Sequence, residues 1–180
     1  IIFSLIFTGV IQLINRYSLK DITLSTIMGT ASAIAVVSFL IIGLYDMSVI
    51  RDRAIDGVNG IRMEEYGLTF SIRYIGFAAL GFALWANWHS LRYFFTERVF
   101  KQAIEIFLHV CLVWIVCSEL INIKKLNGGG DLYRAGLTVF VGLYSFALIA
   151  FGIWKKKAHL RLLALVLFGI TLLKLFIYDI

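Results

Sequence analysis

Long apolar runs separated by short polar segments follow one another along the whole chain. A helix needs about 20 mostly apolar residues to cross the hydrocarbon core of a bilayer. The runs do not alternate between apolar and polar residues as barrel strands would, and a helix satisfies all of its own backbone amides inside lipid. The sequence therefore predicts about six transmembrane helices, the first of them incomplete: Ile1–Ile14, Ile22–Tyr45, Leu68–Trp88, Ala103–Ile123, Leu132–Trp154 and Leu160–Tyr178.

The segments that connect these runs are mostly short, so consecutive helices are expected to be antiparallel neighbours in an all-α bundle. Asp46–Gly67 is the longest connection; it mixes acidic and basic residues and is expected to be a solvated loop, with room for a short surface helix over Val49–Ile55. The chain begins and ends inside apolar runs, which favours a fragment of a longer polypeptide. The short connections are Asn15–Asp21, His89–Gln102, Lys124–Asp131 and Lys155–His159.

The composition agrees with an apolar solvent around the protein. Hydrophobic residues make up 61% of the chain and charged residues only 16%, whereas a soluble domain carries about 25% charged residues. The net charge of +6 does not indicate nucleic-acid binding, because the basic residues lie in short loops beside apolar runs, where topology and anionic lipids account for them. The expected partners are membrane lipids and further helices of the same chain outside this sequence.

Lysine and arginine are more frequent in the first, third and fifth connections than in the second and fourth. The largest single contribution is Lys155-Lys156-Lys157. Because cytoplasmic loops carry an excess of these residues, the sequence predicts a cell-membrane protein with the odd-numbered loops in the cytoplasm and 46–67 on the opposite side.

Ionisable residues inside the predicted spans are the candidates for function, because they are costly in lipid and usually face protein or water. The fourth span contains Glu105, His109 and Glu119. At about 100° per residue, His109 and Glu119 each fall within roughly 40° of Glu105, so all three lie on one stripe, with Leu112 and Val116 between them. The stripe is expected to face the bundle interior. Glu105 and His109 could form a hydrogen-bonded pair at the rim or a proton relay.

The sixth span contains Lys174, followed by Tyr178 and Asp179 at its end. Spans four and six should run in the same direction, which places Glu119 and Lys174 within about 3 Å of the same depth. The sequence therefore predicts that these two residues approach each other, directly or through water, so that each offsets part of the other's desolvation. Snorkelling of Lys174 to the headgroups and a catalytic or transport role are the alternatives.

Other features point to packing and not to chemistry. Ser25, Gly29 and Ala33 recur every four residues and predict close approach of helix backbones. Cys111 and Cys117 lie in one apolar run and read as small buried apolar side chains. The sequence contains no phosphate-binding loop, nucleophile elbow or metal-ligand cluster, so no catalytic residue, metal or cofactor is assigned.

The last third of the chain, Ser118–Ile180, contains a Lys-x-Phe-x-x-Asp pattern at Lys174, Phe176 and Asp179. It also contains Ser118-Glu119-Leu120, Gly152-Ile-Trp-Lys-Lys-Lys, Leu160-Arg161 and Leu172-Leu-Lys174-Leu-Phe-Ile-Tyr178-Asp179. In these segments the chain resembles a large bacterial family of multi-pass membrane proteins of unknown function, domain of unknown function twenty-three thirty-nine. The resemblance implies a much longer protein with helices on either side of this region, and it brings no established activity.

Two functional hypotheses follow from the sequence. The first is a non-enzymatic protein of the cell envelope, either a transport-like bundle or a helical scaffold. The second is an intramembrane enzyme that acts on a lipid-linked substrate, with Glu119 or His109 as acid–base groups.

Overall fold

The chain is all-α in a computed structural model that describes residues 1–55, 63–95, 97–126 and 132–179. Wider, π-type turns extend α1 through Asn15–Leu19, join α2 to α3 through Phe39–Gly43 and extend α7 through Leu175–Asp179. The described residues therefore form six continuous helices. The α-helical segments are α1 (Ile2–Ile14), α2 (Ile22–Ser38), α3 (Leu44–Ile55), α4 (Met63–Phe94), α5 (Arg98–Leu126), α6 (Leu132–Trp154) and α7 (Ala158–Lys174).

Five helices in the described part of the chain are long and apolar enough to cross a membrane. These candidate spans indicate a multi-pass membrane protein. The predicted third span, Leu68–Trp88, lies in α4 and is not among the five found in the described residues. That span stays a prediction. The five candidates are Ile2–Leu19, Ile22–Arg53, Arg98–Lys125, Gly136–Trp154 and Ala158–Ile177.

Several helices continue beyond the apolar runs from which they were predicted. The expected loop 46–67 is helical as far as Ile55 and again from Met63, and 56–62 lie outside the described residues. Likewise, α4 continues to Phe94 and α5 already begins at Arg98. An apolar run ends where contact with lipid ends. A helix can continue with polar residues once it reaches water, so the helices are longer than the apolar runs.

The chain divides into two compact units, Ile1–Lys101 and Gln102–Ile180. In the first unit, α1, α2 and α4 all pack against one another. A Cβ atom at Gly76 of α4 would lie only 2.7 Å from Cζ of Phe39, so the glycine makes room for this buried ring. The largest apolar side chains that are fully buried in this unit are Leu5, Val36, Phe39 and Leu80.

A tight connection between α1 and α2 makes these two helices antiparallel. The amide of Asn15 donates from Nδ2 to the carbonyl of Asp21 at 2.7 Å and accepts from the backbone N–H of Asp21 at 3.0 Å. Lys20 takes a left-handed conformation with φ 55° at the turn. The carboxylate of Asp21 then accepts from the backbone N–H of Thr23 at 2.7 Å, which caps α2.

In the second unit, α6 and α7 form an antiparallel hairpin. At the turn, a Cβ atom at Gly152 would lie 3.2 Å from the backbone nitrogen of Arg161, so the two backbones approach closely. At the far end, Lys174 donates from Nζ to Oγ1 of Thr138 at 2.7 Å. The apolar core between these two contacts contains Leu148, Leu160 and Ala164.

Candidate functional site

Gln12 is the centre of a polar network inside the first unit. It is 0% exposed although it lies in a mostly apolar helix. Its Nε2 donates to the carbonyl of Ser25 on α2 at 2.9 Å, and its Oε1 accepts from the Ser25 hydroxyl at 3.3 Å. A longer contact of 3.5 Å joins Nε2 to Oδ1 of Asn87 on α4. One amide therefore connects three helices.

Asn87 and two serines complete this network. Asn87 donates from Nδ2 to Oγ of Ser32 on α2 at 2.5 Å and to the carbonyl of Ala83 at 2.7 Å. The hydroxyl of Ser90 on α4 donates to the backbone carbonyl of Gln12 at 3.0 Å. Ser25, Ser32 and Ser90 are all fully buried. We refer to Gln12, Ser25, Ser32, Asn87 and Ser90 as the Gln12 network.

The small residues predicted to pack helices lie beside this network. Ser25 takes part in it directly, and a Cβ atom at Gly29 would lie 3.3 Å from Nε2 of Gln12 and 3.0 Å from Cδ2 of Leu91. Ala33 is only half-buried, whereas its neighbour Ser32 is fully buried. The interior stripe of α2 therefore passes through Ser25 and Ser32, two helical turns apart.

Glu105 of α5 is the centre of an ionic cluster in the second unit. Its carboxylate accepts from Nζ of Lys157 at 2.7 Å and 2.8 Å. The same carboxylate lies 2.8 Å from Nε2 of His159. Lys157 belongs to the turn between α6 and α7, and His159 to the first turn of α7. We refer to Glu105, Lys157 and His159 as the Glu105 cluster.

His109 has a different partner from the one expected. Its Nδ1 lies 2.7 Å from the hydroxyl of Tyr144 on α6. Among the described contacts, no hydrogen bond joins His109 to Glu105, which binds the turn before α7 instead. The expectation of a hydrogen-bonded Glu105–His109 pair is replaced by two separate contacts. Each of them joins α5 to the α6–α7 hairpin.

The predicted stripe on α5 is only partly turned inward. Glu105, His109 and Glu119 are all half-buried, but Leu112 between them is 45% exposed. Cys111, at 1% exposed, is the buried residue at that level of the helix. The interior face of α5 is therefore rotated by about one residue from the predicted stripe near its middle.

Lys174 lies at the opposite end of the hairpin from the Glu105 cluster. Its ammonium group donates to Oγ1 of Thr138. From Glu105 to His109 along α5, the partners change from Lys157 in the turn to Tyr144, ten residues before the end of α6. This makes α5 antiparallel to α6, so α5 runs in the same direction as α7. Direct pairing of Lys174 with Glu119 stays a prediction. The side chains of Tyr178 and Asp179 lie outside the described residues.

Sequence reasoning missed both the Gln12 network and the partners of Glu105. Gln12 and Asn87 were available as polar residues inside apolar runs, but they are far apart in the sequence. Lys157 and His159 were interpreted only as part of a basic loop. A search of the spans for uncharged amide side chains, in addition to ionisable ones, would have identified Gln12 and Asn87.

The chemistry of the two clusters is that of contacts between helices. Amide, hydroxyl and carboxylate groups from different helices satisfy one another at hydrogen-bonding distance. In the part of the chain that the structure describes, no group of three or more His, Cys, Asp or Glu residues could hold a metal ion. The chain matches no family model, no curated protein and no solved structure, and the resemblance over 118–180 stays a prediction.

Proposed function

We propose that this chain is a non-enzymatic helical scaffold of the cell envelope, which holds its helices in fixed positions in the membrane. The observation that supports this most directly is Gln12, a fully buried amide that hydrogen-bonds to both α2 and α4. Polar side chains between transmembrane helices hold the helices together. The polar groups of this network hydrogen-bond to one another, as is expected in a closed bundle.

The Glu105 cluster supports the same function in the second unit. A carboxylate in a span is costly unless it is paired. Glu105 has two basic partners, and its side chain is only 18% exposed. The contact ties α5 to the hairpin at one end, and the His109–Tyr144 hydrogen bond adds a second tie farther along α5. Together these side-chain contacts join α5 to α6 and α7.

A transport-like bundle is the second candidate, because titratable groups of α5 contact titratable groups of the α6–α7 hairpin. Glu105, His159, His109 and Tyr144 could pass a proton if water reached them. An intramembrane enzyme with His109 as its acid–base group would have only Nε2 free, since Nδ1 is engaged by Tyr144. An enzyme that relies on Glu119 would need a second converging group, for which Lys174 is the candidate.

Labelling of engineered cysteines separates the scaffold from the transport-like bundle. In a background with Cys111 and Cys117 replaced by alanine, single cysteines are placed at Ser32 and Ser145, which are both fully buried. A membrane-impermeant maleimide is then applied to both faces of the membrane. A closed scaffold predicts no labelling at either position, with strong labelling of a Lys156→Cys control in the exposed turn. Labelling at Ser32 or Ser145 from either face would indicate a water-filled path and would contradict the scaffold.

The orientation is proposed from the distribution of basic residues, with the first, third and fifth connections in the cytoplasm. Single cysteines at Ser18 and Lys156, exposed residues of the first and fifth connections, should react only when the reagent reaches the cytoplasmic face. A cysteine at Gly129 of the fourth connection should react only from the other face. The reverse pattern would invert the proposed orientation.

Membership of domain of unknown function twenty-three thirty-nine is also a proposal, supported by Lys174, Phe176 and Asp179 and by the other matching segments after Ser118. It predicts that the native polypeptide is much larger than the 20.4 kDa of this sequence. Immunoblotting of native membranes with an antibody against the α6–α7 hairpin measures that mass. A native product of about this mass would overturn the expectation of further helices.

A further inference from the structure

A cationic and aromatic cavity opens at the end of the first unit where α1 finishes. Its volume is about 340 Å³, which is within the range of about 300–1,000 Å³ typical of small-ligand sites. Arg16 reaches it from the turn that extends α1, and the other lining residues lie on the last turns of α4. The lining residues are Arg16, Trp88, His89, Arg92 and Tyr93.

Neighbouring groups hold both guanidinium groups in place. Arg16 donates from Nη1 to the backbone carbonyl of His89, and its Cζ lies 5.3 Å from the centre of the Tyr93 ring. The Cζ of Arg92 lies 4.5 Å from the centre of the Trp88 ring. Such cation–π contacts orient a guanidinium and leave its N–H groups available at the edge.

Among the described residues, these two positive charges have no acidic partner. Within the described ranges, neither Arg16 nor Arg92 forms an ion pair with a carboxylate. The carboxylate of Asp21, in the nearby α1–α2 connection, caps α2 through the N–H groups of Thr23 and Leu24. The cavity therefore offers two oriented guanidinium groups to an anion from outside the chain.

The position of the cavity identifies the source of that anion. Arg16 lies near the end of the candidate span Ile2–Leu19. Trp88 and Tyr93 are the aromatic residue types that concentrate at the headgroup level of a bilayer. Phosphate diesters of lipids lie at that level, and arginine binds phosphate with paired, charge-assisted hydrogen bonds. In the proposed orientation this end faces the cytoplasm, where anionic lipids attract basic residues.

We propose that this cavity binds the headgroup phosphate of an anionic phospholipid. Arg16 and Arg92 bind the phosphate oxygens. The rings of Trp88 and Tyr93 contact the lipid where its headgroup joins the acyl chains. The lipid would bridge the end of α1 to the end of α4, across the same pair of helices that the Gln12 network joins. This inference concerns a ligand and does not depend on whether the bundle is a scaffold or a transporter.

The test uses the full chain in nanodiscs of phosphatidylcholine, with or without phosphatidylglycerol, and native mass spectrometry to measure the phosphatidylglycerol that stays bound. The double variant Arg16→Gln/Arg92→Gln should lose binding by roughly tenfold or more, because each arginine supplies charge-assisted hydrogen bonds. The matched control Arg98→Gln/Arg161→Gln removes two exposed arginines elsewhere and should bind within about twofold of the parent. Equal loss in both double variants would show a general charge effect and overturn the site.

Two further arms complete the test. Arg92 is exposed, so Arg92→Gln alone tests the site without disturbing the backbone contact of Arg16; it should weaken phosphatidylglycerol binding while the thermal midpoint in phosphatidylcholine stays unchanged. Inorganic phosphate is then added as a competitor. A lipid site predicts little displacement, because free phosphate lacks the acyl chains that anchor the headgroup. Displacement by phosphate, with no preference for phosphatidylglycerol, would assign the cavity to a soluble anion and contradict the proposal.

Discussion

The carboxylate of Glu105 on α5 lies 2.7 Å from Nζ of Lys157, in the turn between α6 and α7. Lys155 and Lys156 of the same turn are exposed, whereas Lys157 is half-buried. The three lysines of this turn favour a cytoplasmic position for it, and one of them, Lys157, also pairs with Glu105. The left-handed conformation of Lys156, with φ 54°, belongs to the tight turn that brings Lys157 to Glu105.

Removing the charge of Glu105 should loosen α5 from the hairpin. Glu105→Gln leaves Lys157 and His159 without a carboxylate, and we expect the free energy of unfolding in detergent to fall by about 1–2 kcal/mol. We expect no larger change in the free energy of unfolding, because the Lys157 side chain is 37% exposed and solvent screens part of the attraction. Thermal or denaturant unfolding followed by circular dichroism measures it.

A double-mutant cycle with Lys157→Met isolates the pair. The coupling energy between the two positions should be on the order of 1 kcal/mol. Lys155→Met, at an exposed position in the same turn, is the control and should show no coupling to Glu105→Gln. Equal coupling of the two lysines to Glu105 would mean that the contact is a general charge effect.

Gln12→Leu keeps the size of the side chain but removes its hydrogen bonds. The hydroxyl of Ser25, a fully buried residue, and Oδ1 of Asn87 then lose their partner. We expect a loss of about 1–3 kcal/mol of unfolding free energy. Thr30→Ala is the control on α2, because Thr30 is exposed and bonds only within its own helix. If the two variants unfold at the same midpoint, the Gln12 network does not hold the helices together.

Gly152→Ala tests the close approach of α6 and α7 at their turn. The new Cβ would lie 3.2 Å from the backbone nitrogen and 2.8 Å from Cγ of Arg161. Because a backbone atom cannot move aside freely, we expect destabilisation by about 1–3 kcal/mol. Gly142→Ala in the same helix meets nothing within 4 Å and should be neutral or slightly stabilising through helix propensity. Similar midpoints for the two alanine variants would refute the close packing at the turn.

Glu119→Gln should lower stability or expression, because it removes one charge of the predicted pair with Lys174. Adding Lys174→Met should partly restore it, since a single unpaired ammonium group in a span costs more than none. Lys174 also donates to Thr138, so Thr138→Val separates this contact from the pairing with Glu119. Effects of Glu119→Gln and Lys174→Met that simply add would rule out the pairing.

The helical class of the protein was predictable because burial in lipid leaves the backbone no alternative to hydrogen bonding within each segment. The ends of the helices were not. Apolar runs stop where lipid stops, but α2 continues through a π-type turn into α3, where Arg51 is 2% exposed and pairs with Asp52 at 2.7 Å. The charges that suggested a solvated loop are accommodated along a helix.

The individual contacts could not be predicted, because the apolar periodicity of one helix does not show which residues of other helices it contacts. The stripe rule placed Glu105 and His109 on an inner face, but their partners come from other helices, at Lys157, His159 and Tyr144. The small-residue spacing pointed to the interior side of α2 but led to Ala33, one residue beyond the fully buried Ser32. Contacts over long sequence separations follow from helix rotation, and hydropathy does not determine rotation.

Extraction of native membranes with alkaline carbonate tests the central claim, that these helices lie among lipid acyl chains. The five candidate spans predict that the protein stays in the membrane pellet and is released only by detergent. A peripheral membrane protein from the same preparation serves as the control for extraction. Recovery of the intact protein in the carbonate supernatant, soluble without detergent, would contradict the account.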